Sequence, residues 1–303
     1  MILVTSGLGF IGSHVTRALL DSGHEVLATT RTARQPVSFL RNRGGLTVAQ
    51  LDVLDERQWE ELASRFHVSA VVHLAAVHGD GGPIDDFVAN VRGFGNALGF
   101  AHDAKADRLV YASSIGVYAG VEPPYREDMP LPPLAPHGIA AAKKTFELAA
   151  DLTRSRTGSD VVGLRIGGVW GPLGNPASRF IGLPRLLHAA LAGNTLSLDG
   201  NMACDLIHVD DVARAIASVV TARKLNHPIY NIGSGRATTD QEVVDAILQL
   251  IPDAPISISA DAPCLEVGPL SIDRLVADTG FETRIPLQEG LRTYAHWIRT
   301  EAR

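Results

Sequence analysis

Through the first two-thirds of the chain, short apolar runs alternate with stretches whose apolar positions recur every three or four residues. Residues 2–4 (Ile-Leu-Val) are the first such run and predict a buried strand. Val15, Ala18 and Leu19 then recur at helical spacing, and Gly23 closes that helix. Further strands are expected over 25–29, 46–51, 70–75, 109–113 and 161–166. Between them, Trp59, Leu62, Ala63 and Phe66 mark one helix face, and Phe87, Val91, Phe94 and Leu98 mark a second. A third helix is expected around 140–151. Strands separated by helices predict an α/β fold, a doubly wound parallel sheet with helices on both faces.

The last third is less regular. Residues 171–176 form a loop rich in Gly and Pro, and helices are expected over 180–191, 210–220 and 287–300. A strand is expected over 228–232. Thr239 and Glu242 make a Thr-x-x-Glu capping box for a helix running to Leu250. No repeat, low-complexity tract or flexible linker divides the chain, so its lobes are expected to interlace.

Length and composition narrow the function classes. A chain of 303 residues suffices for one large domain or two interlocked ones. The composition, 46% apolar and 20% charged, is ordinary for a globular protein. A net charge of -6 without basic runs argues against nucleic acid or a membrane surface as partner and leaves a small molecule. The 11 histidines show no metal-ligand spacing, so no metal is expected. Cys204 and Cys264 could pair, but two cysteines in so long a chain do not indicate an oxidising compartment. The start lacks a basic leader and cleavage signal, and no apolar run approaches the ~20 residues that span a bilayer. A cytoplasmic protein is expected.

The first strand runs into Thr5-Ser6-Gly7-Leu8-Gly9-Phe10-Ile11-Gly12-Ser13-His14. Gly7, Gly9 and Gly12 satisfy G-x-G-x-x-G between a strand and a helix. Glycines let the backbone turn tightly and approach a pyrophosphate, whose charge rests on the helix N-terminus. A Gly-rich turn without a ligand is the alternative. The segment resembles the extended short-chain dehydrogenase/reductase family (NAD-dependent epimerase/dehydratase-like), whose turn reads T-G-x-x-G-F-I-G-S-H. Ser6 replaces the first family glycine. The resemblance runs over essentially the whole chain. It implies a Rossmann domain over 1–168 that also takes in about 205–233, with a smaller interlaced substrate lobe from 169–204 and 234–303.

The second strand ends Leu27-Ala28-Thr29-Thr30-Arg31, with Arg34 nearby and no acid to accept the ribose hydroxyls of NAD. Thr30 matches the family's NAD-type Asp. A guanidinium beside a hydroxyl suits a 2′-phosphate, which favours NADP over NAD as the NAD(P) cofactor. Arg31 stacked on adenine, or merely solvated, is the other reading. The resemblance implies that Asp52, followed by Val53, meets the adenine; a loop carboxylate capping near Asp55 is the plainer alternative. His73-Leu74-Ala75-Ala76 is similar to the family's H-L-A-A, which lies against the cofactor, and His73 itself reads as a packed histidine. Asn90 matches the family's helix asparagine, which supports the site's backbone.

The fifth strand ends Ser113-Ser114-Ile115-Gly116-Val117-Tyr118, which resembles S-S-x-x-V-Y-G. By that match Ser114 bonds a substrate carbonyl or alcohol. The family then places Y-x-x-x-K on a helix, where the ammonium lowers the phenol's pKa and holds the nicotinamide ribose. Lys143 and Glu147 fit K-x-x-x-E, but Ile139 stands in the tyrosine's place, and a register shift to Lys144 gives Ala140. His137, at the helix entrance, or Tyr125, on the preceding loop, could carry the proton instead. Substrate-borne or water-borne proton transfer, and cofactor binding without ordinary turnover, are the alternatives.

Residues 164–172, 205–212 and 230–235 resemble further family segments, with Gly168 and Trp170 replacing an asparagine and a tyrosine. Two arginines that nucleotide-sugar members use are replaced here, one by Cys204 and one by Cys264-Leu265 after Pro263. Arg179 and Arg185 are possible substitutes. The loss of both guanidiniums leads to the expectation that the substrate is not a nucleoside-diphosphate sugar. The expected protein is an NAD(P)-dependent oxidoreductase or epimerase-like enzyme acting on a small hydroxyl or carbonyl compound. A catalytically weak NADP(H) sensor or scaffold, and a non-redox isomerase or lyase, are the rivals. The resemblance also implies a homodimer through the helices near 87–102 and 140–154.

Overall fold

A computed structural model describes residues 1–77, 82–178, 180–259 and 264–301. In chain order its elements are β1 Ile2–Thr5, α1 Phe10–Asp21, β2 Val26–Thr30, β3 Leu46–Gln50, α2 Glu56–Arg65, β4 Ala70–His73, α3 Pro83–Asp103, β5 Arg108–Ser114, α4 Gly138–Thr157 and β6 Val161–Ile166. There follow β7 Gly168–Trp170, α5 Leu183–Ala192, β8 Leu196–Leu198, β9 Asn201–Cys204, β10 Leu206–His208, α6 Val209–Thr221 and β11 Ile229–Ile232. The chain closes with β12 Thr238–Thr239, α7 Asp240–Leu250, β13 Ile256–Ile258, β14 Cys264–Val267, α8 Asp273–Thr279 and α9 Leu287–Thr300.

The main sheet has seven parallel strands in the order β11-β6-β5-β4-β1-β2-β3. Side chains alternate across each strand, so a buried strand must be apolar on both faces. Ile2 and Val4 accordingly pack with Val15, Leu19 and Ile216 on the α1/α6 side, while Leu3 packs with Trp59, Phe94 and Phe146 on the α2–α4 side. Because all strands run one way, their carboxyl ends share one edge. The winding reverses between β1 and β4, and in such sheets ligands bind at that crevice.

The chain after β6 leaves this sheet and comes back to it. β7 pairs with β10, β8 with β13, and β9 lies between β12 and β14. These short strands, with α5, α7 and α9, surround a separate core holding Trp170, Leu186, Leu187, Val243, Ile247 and Leu291. β11 then rejoins the main sheet beside β6. Asp205 ties the return together: its buried carboxylate accepts the Ser234, Gly235 and Leu270 amides at 2.6, 3.2 and 3.0 Å.

Several expected bounds shift by a few residues, and at two helix starts the cause is local. The helix foreseen over 180–191 starts at Leu183, because Gly182 caps it and Pro184 sits in its first turn, where a proline's missing N–H costs nothing. The third helix begins earlier than 140, at Gly138, with His137 as its cap. Cys204 is a buried free thiol, and burial pushes it up to about 12. Among the described residues, no helix is long and apolar enough to cross a membrane, and no group of three or more acids, histidines or cysteines is placed to hold a metal.

Candidate active site

The expected site residues gather along the carboxyl edge of the sheet. At the first turn Ser6 has φ 53°, the left-handed region that a glycine adopts without strain. The following glycines are required by contact. A Cβ on Gly7 would sit 2.7 Å from the Ala28 Cβ, one on Gly9 2.6 Å from the Ser6 Oγ, and one on Gly12 2.0 Å from the Ser6 carbonyl oxygen. Gly9 precedes α1 at the cap position and offers no side-chain cap, which leaves the first amides of the helix for an anion.

Three cavities follow the edge and share walls. The first, about 310 Å³, is lined by Ser6, Gly9, Thr30, Arg31, Arg34, Asp52, Val53, Ala75 and Ala76. The second, about 670 Å³, is lined by Ser6, Phe10, Ile11, Gly12, Leu74 and Ala76, together with Asn175, Ser178 and Phe180. The third, about 880 Å³, takes its wall from Ser114, Gly116, Tyr125, His137, Ile139, Phe180, Met202, Cys204 and Glu266. Ser6 belongs to the first two, and Ser178 and Phe180 to the last two. The result is one trough from the end of β2 to the lobe.

Gly7 and Asn90 stand outside the lining. Gly7 lets β1 and β2 approach each other. Asn90 bonds the Val77 N–H and C=O, at 3.0 and 2.7 Å, and so fixes the loop after β4. Asp52 lines the first cavity while its Oδ1 accepts the Leu54 amide at 3.0 Å, and Asp55 caps α2. Arg31 and Arg34 make no ion pair among the described residues.

Lys143 is buried on α4 and lines none of the three cavities. Its Nζ lies 4.5 Å from the Phe146 ring centroid and has no hydrogen-bond partner among the described residues. Burial lowers it to about 8. His73 is a packed histidine, as expected: its Nδ1 is 3.2 Å from the Thr5 hydroxyl, and burial, with the Lys143 charge, lowers it to about 3. α4 is held to the sheet by Glu147, whose carboxylate accepts the Ser113 hydroxyl at 2.7 Å and grips the Arg165 guanidinium at 3.0 and 2.7 Å. This fixes Lys143 and His137 relative to Ser114.

The donor set fits a nicotinamide dinucleotide: an uncapped helix start and two guanidiniums without an ion pair among the described residues line the trough, and a buried ammonium without a hydrogen-bond partner among those residues lies on α4. A comparison with known families decides the matter, since residues 2–233 match the model of the NAD dependent epimerase/dehydratase family. The chain belongs to that family. It is thus a nicotinamide-dependent enzyme of the extended short-chain dehydrogenase/reductase type, with a Rossmann fold.

Among its relatives is the UDP-glucuronate 4-epimerase of Thermodesulfobacterium geofontis, 27% identical over 98% of this chain and 95% of that one. Another is the dTDP-4-dehydro-6-deoxy-D-allose reductase of Streptomyces sp, 28% identical over 100% and 97%. The UDP-glucose 4-epimerase of Thermus thermophilus, solved as a complex with NAD, superposes with TM-score 0.85 at 29% identity over 99% of each chain. These relatives overturn the expectation that the substrate is not a nucleoside-diphosphate sugar. That expectation weighed two missing guanidiniums too heavily. Cys204 packs into the lobe core and reports on wall packing, and a diphosphate can equally be held by backbone amides or other cations. Arg185 is exposed on α5, while Arg179 and Pro263 lie outside the described residues.

Sequence reasoning missed Asn175, Ser178, Phe180, Met202 and Glu266 as wall residues. Only Phe180 fell inside an expected element, and it stands exposed ahead of α5.

Proposed function

We propose that this protein uses NADP(H) to exchange hydride with a carbon of a nucleoside-diphosphate-linked sugar. The observation that carries the reading is the trough, which leads from two arginines without an ion pair among the described residues past an uncapped helix start to a cavity holding Ser114. When bound, the nicotinamide supplies or accepts the hydride. Gly9, Phe10, Ile11 and Gly12 hold the pyrophosphate, and Gly7 allows the close strand approach beneath it. Asp52 and Val53 border the adenine, and Leu74, Ala75 and Ala76 lie along the dinucleotide. Asn90 keeps that loop in place. Lys143 orients the nicotinamide ribose, and Ser114 with His137 holds the reacting oxygen of the sugar. The Rossmann part, 1–168 with about 205–233, binds the cofactor; 169–204 and 234–303 bind the sugar nucleotide.

Thr30, Arg31 and Arg34 select the 2′-phosphate. A charge-assisted arginine–phosphate contact contributes ~1.5–3 kcal/mol, so Arg31→Ala should weaken NADPH binding about 10- to 100-fold and leave NADH within about threefold. Calorimetry with both cofactors reads this; equal losses for the two would remove the NADP assignment. The function itself is tested by incubating the protein and NADPH with UDP- and dTDP-linked sugars and their 4-keto derivatives. Nicotinamide absorbance and sugar NMR follow conversion. No conversion of any sugar nucleotide would defeat the reading.

α3 and α4 also present Ile84, Val88, Leu148 and Leu152 to solvent, at 77%, 56%, 73% and 59% exposure. Large side chains grouped on one face are a burden unless covered. They support a homodimer formed through these helices. Sedimentation should give the mass of two chains, and the Ile84→Glu/Leu148→Glu double variant should sediment as one; a wild-type monomer would end the proposal.

A further inference from the structure

We infer that Ser114 and His137 form a paired hydrogen-bond donor for a carbonyl oxygen, with the His137 ring held as the Nε2–H tautomer and exchanging no proton. The inference rests on the proposed function for the identity of the substrate, but not for the state of the ring. His137 caps α4: its Nδ1 accepts the Ala140 amide at 3.2 Å. A nitrogen that accepts an N–H offers it a lone pair, so the single proton of the neutral ring lies on Nε2. That nitrogen has no hydrogen-bond partner among the described residues, and the ring lines the third cavity, 5.4 Å from Phe180.

Ser114 is arranged in the same sense. Its Oγ accepts the Gly116 amide at 3.1 Å, and its own proton is bonded to nothing among the described residues. The two groups face one volume: the point where a Cβ on Gly116 would stand is 3.5 Å from the Ser114 Oγ and 3.8 Å from the His137 Nε2. Ile139, in the usual tyrosine's place, adds an apolar wall and no proton acceptor.

A general base on this ring would need a free lone pair on Nε2, hence a proton on Nδ1 pointing at the Ala140 N–H. An imidazolium meets the same clash, and partial burial also lowers the ring's pKa. The pair therefore suits a substrate that arrives as a ketone, because negative charge grows on a carbonyl oxygen during reduction and two fixed donors stabilise it. In ketone reduction the carbonyl carbon gains the hydride of the reduced nicotinamide, its π pair passes to oxygen, and the alkoxide held by the two donors takes its proton from solvent water, because the ring gives none up. The pair orients and stabilises that oxygen and leaves the proton to water.

The test is long-range 1H–15N NMR of the 15N-labelled protein near neutral pH, with the His137 signals among the 11 histidines assigned by their loss in His137→Asn. Asparagine still caps the helix, so that variant folds. The expected pattern is a protonated Nε2 and an unprotonated Nδ1. The reverse pattern, or a doubly protonated ring, overturns the inference. This readout needs no turnover, so it decides the tautomer even if every sugar nucleotide is inert and the proposed function fails. With an active 4-keto sugar, His137→Asn should lower kcat about 100-fold and leave KM within about threefold. A kcat within threefold of wild type would also overturn it.

Discussion

Gly12→Ala should abolish cofactor binding. The new Cβ would lie 2.0 Å from the Ser6 oxygen, 2.8 Å from the Ser6 carbonyl carbon and 2.9 Å from the Gly7 Cα, all of them backbone atoms. Flexible side chains can yield to such an intrusion, but a turn fixed by the Gly7 amide on the Thr29 oxygen and the Gly9 amide on the Ser6 oxygen, both 2.8 Å, cannot. Either the turn opens or α1 withdraws from it, and the amides that would face the pyrophosphate lose their convergence. The NADPH dissociation constant should rise at least ~100-fold, equivalent to about 2.7 kcal/mol. Overpacking costs ~1–3 kcal/mol of stability in addition, visible as a lower Tm. Gly44→Ala is the control, since a Cβ there meets nothing within 4 Å, and it should match wild type in both measurements. Wild-type affinity in Gly12→Ala would separate this turn from the cofactor.

The turn was legible in the sequence because its signal is local: three glycines at fixed spacing between an apolar run and a helical stripe. The parallel sheet was legible for a similar reason. Strands buried on both faces must be continuous apolar runs, and Val161–Ile166 has the same bounds by sequence and by structure. The lobe behaves differently. β8, β9 and β13 have only three or four residues, too few for any period to emerge, and they pair with partners distant in the chain. The walls of the third cavity come from loops, strand ends and the start of α4 between Ser114 and Val267, a meeting that no spacing encodes. The role of His137 was half legible. Its place at a helix entrance could be read, but its Nδ1 bond to Ala140, which limits what the ring can do, is a matter of geometry. The inference about substrate failed because it drew a class of ligand from two absent side chains, although a diphosphate site can be built from many donors.

Glu147→Ala should cost ~3–5 kcal/mol of stability, the usual consequence of stranding one member of a buried ion pair. Its partner Arg165 has 5% side-chain exposure and cannot recover its hydration where it lies. The guanidinium also donates to the Tyr118 hydroxyl at 2.9 Å, and that hydroxyl donates to the Asn231 Oδ1 at 2.8 Å, so the disturbance reaches β11. Urea unfolding should show the loss as a lower midpoint at an unchanged slope. Replacing both partners by apolar residues of similar size, Glu147→Leu with Arg165→Met, should recover most of it, because no buried charge remains. If the single and double variants are equally unstable, packing and not charge is what Glu147 supplies. The recovered fold should still work poorly. Glu147 also accepts the Ser113 hydroxyl beside Ser114 and stands one turn after Lys143 on α4. Once that clasp is gone, the strand that carries one donor and the helix that carries the other are no longer held in register, and stability returns without the alignment on which reduction depends.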